Sequence, residues 1–183
     1  MIERPPVPAA RIVRSSGFTL VELLIVIAIV AILASISMAI YGHARVQGNE
    51  ASAIATLTAI NQGQFAFAQA CGNQHYAATL AALAVPMPTT GHAFLSPDLA
   101  ADPLAKSGYG FALTGTPLNL EYQSCTGEAL LERYAVTADP LRPGFSGRRF
   151  FATNADRIVF VDSASFAGEM PEAGAPPHGA ELK

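Results

Sequence analysis

Gly17-Phe18-Thr19-Leu20-Val21-Glu22-Leu23-Leu24-Ile25-Val26-Ile27 is the stretch that decides how this chain is built. It opens an apolar run that reaches Tyr41, interrupted only by small hydroxyl residues and by one charge, Glu22. A helix from Phe18 to Tyr41 would be about 36 Å long, enough to cross a bilayer core of roughly 30 Å. Before it, Met1 to Gly17 holds Arg4, Arg11 and Arg14 against a single acid, Glu3, and Pro5, Pro6 and Pro8 keep its first half from being helical. With no comparable basic cluster after the run, this charge bias places the N-terminus in the cytoplasm and everything past Gly42 outside the membrane. An ordinary secretory signal also starts basic and turns apolar. Its core is shorter, it carries no internal charge, and it is cut after the apolar stretch, for which Ala34-Ser35-Ile36-Ser37 would be the nearest imitation.

Glu22 carries the argument further. A carboxylate at membrane depth costs several kcal/mol unless paired, and such residues are by default functional. The plain alternative is a single-pass anchor that tolerates one acid near its end. A cut after Gly17 would supply a partner, the new α-amino group of Phe18, four residues before Glu22. In a stack of staggered identical helices, the amine of one subunit meets the carboxylate of its neighbour, and the pair sets a register.

The quoted stretch strongly resembles the processing motif of type IV prepilins and of type II secretion pseudopilins. The resemblance is firm over residues 14–41, looser over 42–83 and only suggestive beyond. It implies that Gly17 is the last leader residue and that prepilin peptidase cuts between Gly17 and Phe18 on the cytoplasmic side. It implies that the same enzyme N-methylates Phe18, and that Glu22 supports methylation and assembly. Many family members carry a proline within the segment equivalent to Ala31–Ile40; this chain has none there, and its first weak points are Gly42 and Gly48.

Beyond the membrane, Arg45, Gln47, Asn49 and Glu50 mark emergence into water. The helix continues: Ile54, Leu57, Ile60, Phe67 and Cys71 fall on one face, Thr56, Asn61, Gln62 and Gln69 lie off it, and Ala is frequent from 51 to 70. Gly63 weakens the pattern by about 1 kcal/mol without reversing it, and Gly72-Asn73 stops it. A helix from about Phe18 to Ala70 must pack its outer half against the rest of the chain. Residues 78–84 read as a short helix and 85–108 as a loop rich in Pro, Gly and Ser. Tyr109–Thr114 and Leu118–Tyr122 around Gly115-Thr116-Pro117 read as a hairpin, Leu131–Ala138 as a strand, and Arg149–Thr153 with Arg157–Val161 around Asn154-Ala155-Asp156 as a second hairpin. The run from Tyr134 to Phe151 is similar to the last strands of some small pilin-like heads. The expected class is therefore α+β: a long N-terminal helix, membrane-spanning in its first half, packed on a small antiparallel sheet of four or five strands. The expected segments are a leader (1–17), a transmembrane or filament-core helix (18–41), the outer half of that helix (42–71), a pilin-like head (72–166) and a flexible tail (167–183).

Cys71 and Cys125 lie in a compartment that permits disulfides, and a bridge would tie the helix end to the strand region; the alternative is two separate buried thiols. Cys71 with His75 is too few ligands for zinc. Type II secretion pseudopilins bind calcium through a C-terminal loop. Here Asp98, Asp102, Asp139, Asp156 and Asp162 offer oxygens without a dense acidic loop, so no metal and no cofactor is expected. Gly144-Phe145-Ser146-Gly147 lacks the spacing of a nucleophile elbow, and His43, His75, His92 and His178 share no motif, so no enzyme is expected. Past Gly42 the chain carries eight Lys/Arg and twelve Asp/Glu, an acidic balance that argues against nucleic acid as a partner. The one basic cluster, Arg142, Arg148 and Arg149, reads as a solvated hairpin, with a DNA-contacting patch as the sharper alternative. The resemblance implies a structural subunit, a pilin or minor pilin. Its partners would be the inner membrane, prepilin peptidase, identical or related pilin subunits in a helical filament, and assembly platform proteins. A type II secretion pseudopilin is the near alternative, and a membrane-anchored binding protein that never polymerises is the distant one.

Overall fold

Ala-rich sequence with an apolar stripe and a Gly72-Asn73 stop produces one long helix, α1 (Leu20–Ala70). The structure, a computed structural model, describes residues 17–118 and 123–182. Residues 1–16 of the expected leader, with Arg4, Arg11 and Arg14, and most of the expected strand Leu118–Tyr122 lie outside the described residues. The chain divides after Ile40 into two units.

In the second unit, α1 is followed by β1 (Tyr76–Ala77), α2 (Leu80–Leu83), a 3-10 turn (Pro97–Leu99), β2 (Leu104–Lys106), β3 (Tyr109–Pro117), β4 (Leu130–Pro140), β5 (Phe150–Asn154), β6 (Val159–Asp162) and β7 (Ala180–Glu181). The strands form an antiparallel sheet in the order β2-β3-β4-β5-β6-β7, with β1 paired to the start of β4. The α+β class holds, as does the hairpin around Asn154-Ala155-Asp156. The layout is consistent with a pilin-like fold. The strand count exceeds the expected four or five, because β1, β2 and β7 are too short to show an alternating pattern.

The predicted helix stripe is the one that packs. Leu57, Ile60 and Phe67 are fully buried and Cys71 nearly so, in one core with Leu83, Leu104, Tyr109, Phe111, Tyr134, Val136 and Phe151. Of the polar residues placed off the stripe, Gln62 and Gln69 are exposed, whereas Thr56 and Asn61 are buried, and so is Gln64. Asn61 Nδ2 donates to Thr153 Oγ1 (2.8 Å), while its Oδ1 accepts from the Tyr134 hydroxyl (2.9 Å). Gln64 takes both backbone groups of Ala77, accepting from its N–H (2.8 Å) and donating to its C=O (3.0 Å). The side-chain amide thus stands in for a strand along one edge of β1, where an unmet buried backbone group would be costly. Gly63 has a packing reason: a Cβ there would lie 3.0 Å from the Phe94 carbonyl oxygen.

Two expectations are corrected. Gly115-Thr116-Pro117 is no turn but the end of β3, which pairs with β4 through Tyr109↔Pro140 to Pro117↔Leu131 with a register shift between Gly115 and Pro117. Gly115 lies so close to β4 that a Cβ would meet the Arg133 carbonyl oxygen, so this glycine marks a bulge and a close approach rather than a loop. The segment from residue 167, expected as a flexible tail, folds back over the sheet. Just before it, Phe166 is fully buried with Ala152 and Phe160, and Met170 packs on that cluster. Asn154 Nδ2 donates to the carbonyls of Pro171 (3.1 Å) and Gly174 (2.8 Å), His178 stacks on Phe166 and meets Asp162 at 2.7 Å, and β7 adds to β6. A segment without periodicity is held here by single long-range contacts, which composition does not display.

Candidate functional site

The helix begins two residues later than expected because Thr19 caps it. The Thr19 hydroxyl accepts from the Glu22 amide (3.2 Å), and the Leu23 amide reaches the Thr19 carbonyl (3.2 Å). Thr19-x-x-Glu22 has the spacing of a capping box, a signal legible in the sequence alone. Glu22 therefore sits in the first helical turn, where its charge also favours the positive end of the helix dipole. Gly17 and Phe18 precede the helix, and space around Gly17 is open.

From Phe18 to Leu33 the large apolar side chains are 49–83% exposed, distributed around the whole helix. A helix apolar on all sides needs an apolar medium or apolar neighbours. Among the described residues no single uninterrupted helix meets the length and apolarity of a membrane span; the two stretches of α1, Leu20–Ser35 and Ile40–Ala70, meet it together.

In the second unit, two of the residues expected to mark emergence into water, Arg45 and Gln47, are exposed, while Asn49 and Glu50 do something else. Glu50 is buried at 5% exposure. Its Oε1 accepts from the amides of Arg148 (2.9 Å) and Arg149 (3.2 Å), and its Oε2 from Arg149 Nε (2.8 Å). Neighbouring Asn49 donates to the Ser146 carbonyl (2.8 Å), so two consecutive helix residues clamp the loop between β4 and β5. A cleft of about 290 Å³ opens beside the clamp, lined by His43, Val46, Gln47, Glu50, Arg148 and Arg149. Burial by itself pushes the Glu50 carboxyl up. The Arg148 amide, the Arg149 side chain and the Arg149 amide outweigh it and hold the carboxyl below its ordinary 4.5. Of the basic cluster, Arg149 is thus engaged in holding the loop, while the side chains of Arg142 and Arg148 are exposed.

The sign of the pH effect follows from the lowered value. A carboxyl depressed in the folded state contributes stability that is complete above 4.5 and lost as pH falls through the folded value. Glu50→Ala should cost about 2–3 kcal/mol, chiefly from the two loop amides left unmet, since the half-exposed Arg149 guanidinium rehydrates. Glu50→Gln keeps an acceptor and should flatten the acid limb. Urea titrations of the full chain between neutral pH and pH 3 check both; equal acid sensitivity in wild type and Glu50→Gln would remove this role.

Cys71 and Cys125 are joined, with Cα atoms 4.9 Å apart, and the Cys125 amide also meets the Cys71 carbonyl at 3.0 Å. Asp98 pairs with Lys106 (2.6 Å), Asp139 accepts from Ser165, and Asp162 pairs with His178. Among the described residues no three His, Cys, Asp or Glu side chains are placed to share a metal ion.

The capped start, the adjacent glycine and the exposed apolar helix coincide with a known signature. Residues 13–38 match the prokaryotic N-terminal methylation motif. This is the type IV prepilin and pseudopilin signature, and it marks a structural, typically non-enzymatic pilin-like family. The methylation motif implies processing by prepilin peptidase, pilin-like assembly and membrane anchoring of the precursor. It covers only the N-terminal part of the chain. No curated protein and no solved structure matches.

Proposed function

We propose that the chain is a non-enzymatic structural subunit, a pilin or minor pilin, of a type IV pilus-like filament. The precursor sits in the inner membrane with its N-terminus in the cytoplasm and its head in the periplasm. Prepilin peptidase cuts between Gly17 and Phe18 and methylates the Phe18 amine. The mature chains then leave the bilayer, on an assembly platform, to stack through their N-terminal helices. The observation that carries this reading is the capped start at Thr19–Glu22, with Gly17 and Phe18 lying outside the helix and the large apolar side chains that follow exposed on every side. A segment outside a helix is ready to enter a peptidase, and the freed amine is the partner that a carboxylate at membrane depth requires. The disulfide fits an oxidising compartment. It also inclines the reading from a secretion pseudopilus towards the pilus, since a head displayed outside the cell gains most from a covalent tie.

Tandem mass spectrometry of protein recovered from the native host tests the proposal. The mature chain should begin at N-methylated Phe18, and Gly17→Val should retain residues 1–17. A mature wild-type chain that still carries residues 1–17 would overturn it.

A further inference from the structure

We infer that the loop between β4 and β5, together with the adjoining turn of α1, is a membrane-contact surface that seats the head on anionic phospholipid headgroups before assembly; this rests on the anchored reading above. Phe145, at the loop tip, is 81% exposed, Leu141 60% and Tyr41 70%. The tip is not loose. Gly144 N–H donates to the Gly147 carbonyl (2.7 Å), the amides of Phe145 and Ser146 donate to the Arg142 carbonyl (3.0 and 2.9 Å), and Asn49 and Glu50 clamp the loop's far side. A loop whose polar backbone is satisfied internally, and whose largest apolar side chain faces out, is built to present that side chain.

The charges around it are complementary to a phospholipid surface. Tyr41, Arg45, Arg142 and Phe145 line one shallow cavity, and Arg148 and Arg149 line the next. Among the described residues beyond Gly42, four of the seven Lys/Arg line these two cavities, against one of the eleven Asp/Glu. The acid on this face, Glu50, is taken up by the clamp, and Asp139 at the foot of the loop accepts from Ser165. Chain connectivity ties this face to the end of the apolar run. Tyr41 is the last residue of the apolar run, and Arg45 lies about 6 Å further along the helix, within a headgroup layer roughly 5–7 Å thick. Aromatic rings flanked by arginines, with apolar stems and charged ends, are the side chains that settle at that level.

The chain contains no tryptophan, so one introduced indole reports its own surroundings. Full-length Phe145→Trp is reconstituted into phosphatidylcholine vesicles with and without phosphatidylglycerol, using acyl chains brominated near the headgroup. Emission from the indole of this variant should shift to the blue and be quenched when phosphatidylglycerol is present. Adding Arg142→Gln and Arg148→Gln should reduce the seated fraction roughly 5-fold per arginine. Ile158→Trp, on the β5–β6 turn, should stay unquenched. A separate Ile29→Trp variant tells the two readings apart. An unquenched indole at position 29 removes the anchored reading. A quenched indole there, with the one at position 145 water-exposed in every vesicle, removes the headgroup contact alone. Shielding at position 145 that ignores brominated lipid and grows with protein density assigns the face to a second copy of the chain and overturns the proposal.

Discussion

Glu22→Ala is expected to leave a chain that is synthesised, inserted and cut after Gly17, yet yields almost no filament. The reason is the environment in which the Phe18 amine must end. On the proposed reading, the amine freed by the cut is a cation at the edge of an apolar helix, and stacking would take it out of contact with water. Removing one partner of a buried ion pair typically costs about 3–5 kcal/mol, because the other charge is left uncompensated. Each subunit interface would then weaken by a factor of roughly 10² to several times 10³. The local role of Glu22 in the first turn, favouring the helix dipole and the cap, accounts for only about 0.3–1 kcal/mol. Glu22→Gln separates the two contributions, since it keeps the cap spacing and removes the charge. If pairing governs assembly, Gln fails nearly as badly as Ala, and both variants show the mature mass while sheared filament fractions are empty. Normal filaments with Ala at 22 would instead point to an anchored protein that does not polymerise.

Both the N-terminal motif and the helix stripe were legible because their signals are local. Leu57, Ile60, Phe67 and Cys71 repeat on one face within a few turns, and that face is the buried one. Glu50 was read as facing water and Asn61 as lying off the buried stripe, and Gln64 drew no reading, for one physical reason: what buries them lies elsewhere in the sequence. Glu50 finds its donors about a hundred residues away, Asn61 bridges to Tyr134 and Thr153, and Gln64 completes a two-residue strand. A polar residue on an amphipathic helix announces water unless its distant partner is known. Gly115-Thr116-Pro117 misled in the same way, because turn chemistry and bulge chemistry draw on the same residues. The segment after Phe166 has neither periodicity nor apolar density, and its path is set by Asn154, Asp156 and Asp162 on the sheet. The cluster Arg142, Arg148 and Arg149 was legible from its spacing, but the clamp at Glu50 and the meeting of that cluster with Tyr41 and Arg45 were illegible for the first of these reasons. They exist only once the β4–β5 loop is laid against the helix.

Cys71→Ser with Cys125→Ser is expected to destabilise the head by about 4 kcal/mol, the chain-entropy value for a loop of this length. The two residues are 54 apart in sequence, and the bridge closes everything from the end of α1 through β3 to the turn before β4. That loop contains β1, α2, β2 and β3, and its inner strands contribute Leu104, Tyr109 and Phe111 to the core. Without the bridge, the unfolded chain regains the freedom of the whole segment, while the folded core keeps its contacts. The loss should therefore appear as a lower denaturation midpoint with little change in native secondary structure. The Glu50 clamp joins α1 to the β4–β5 loop outside this covalent circuit, so the two effects should add within a few tenths of a kcal/mol. Urea unfolding of the oxidised, reduced and double-serine chains tests this, with the reduced and serine forms expected to coincide. Mass spectrometry of the non-reduced mature protein should find no alkylatable thiol. Two free thiols in the native protein, or a serine variant as stable as the wild type, would return Cys71 and Cys125 to the status of two separate thiols.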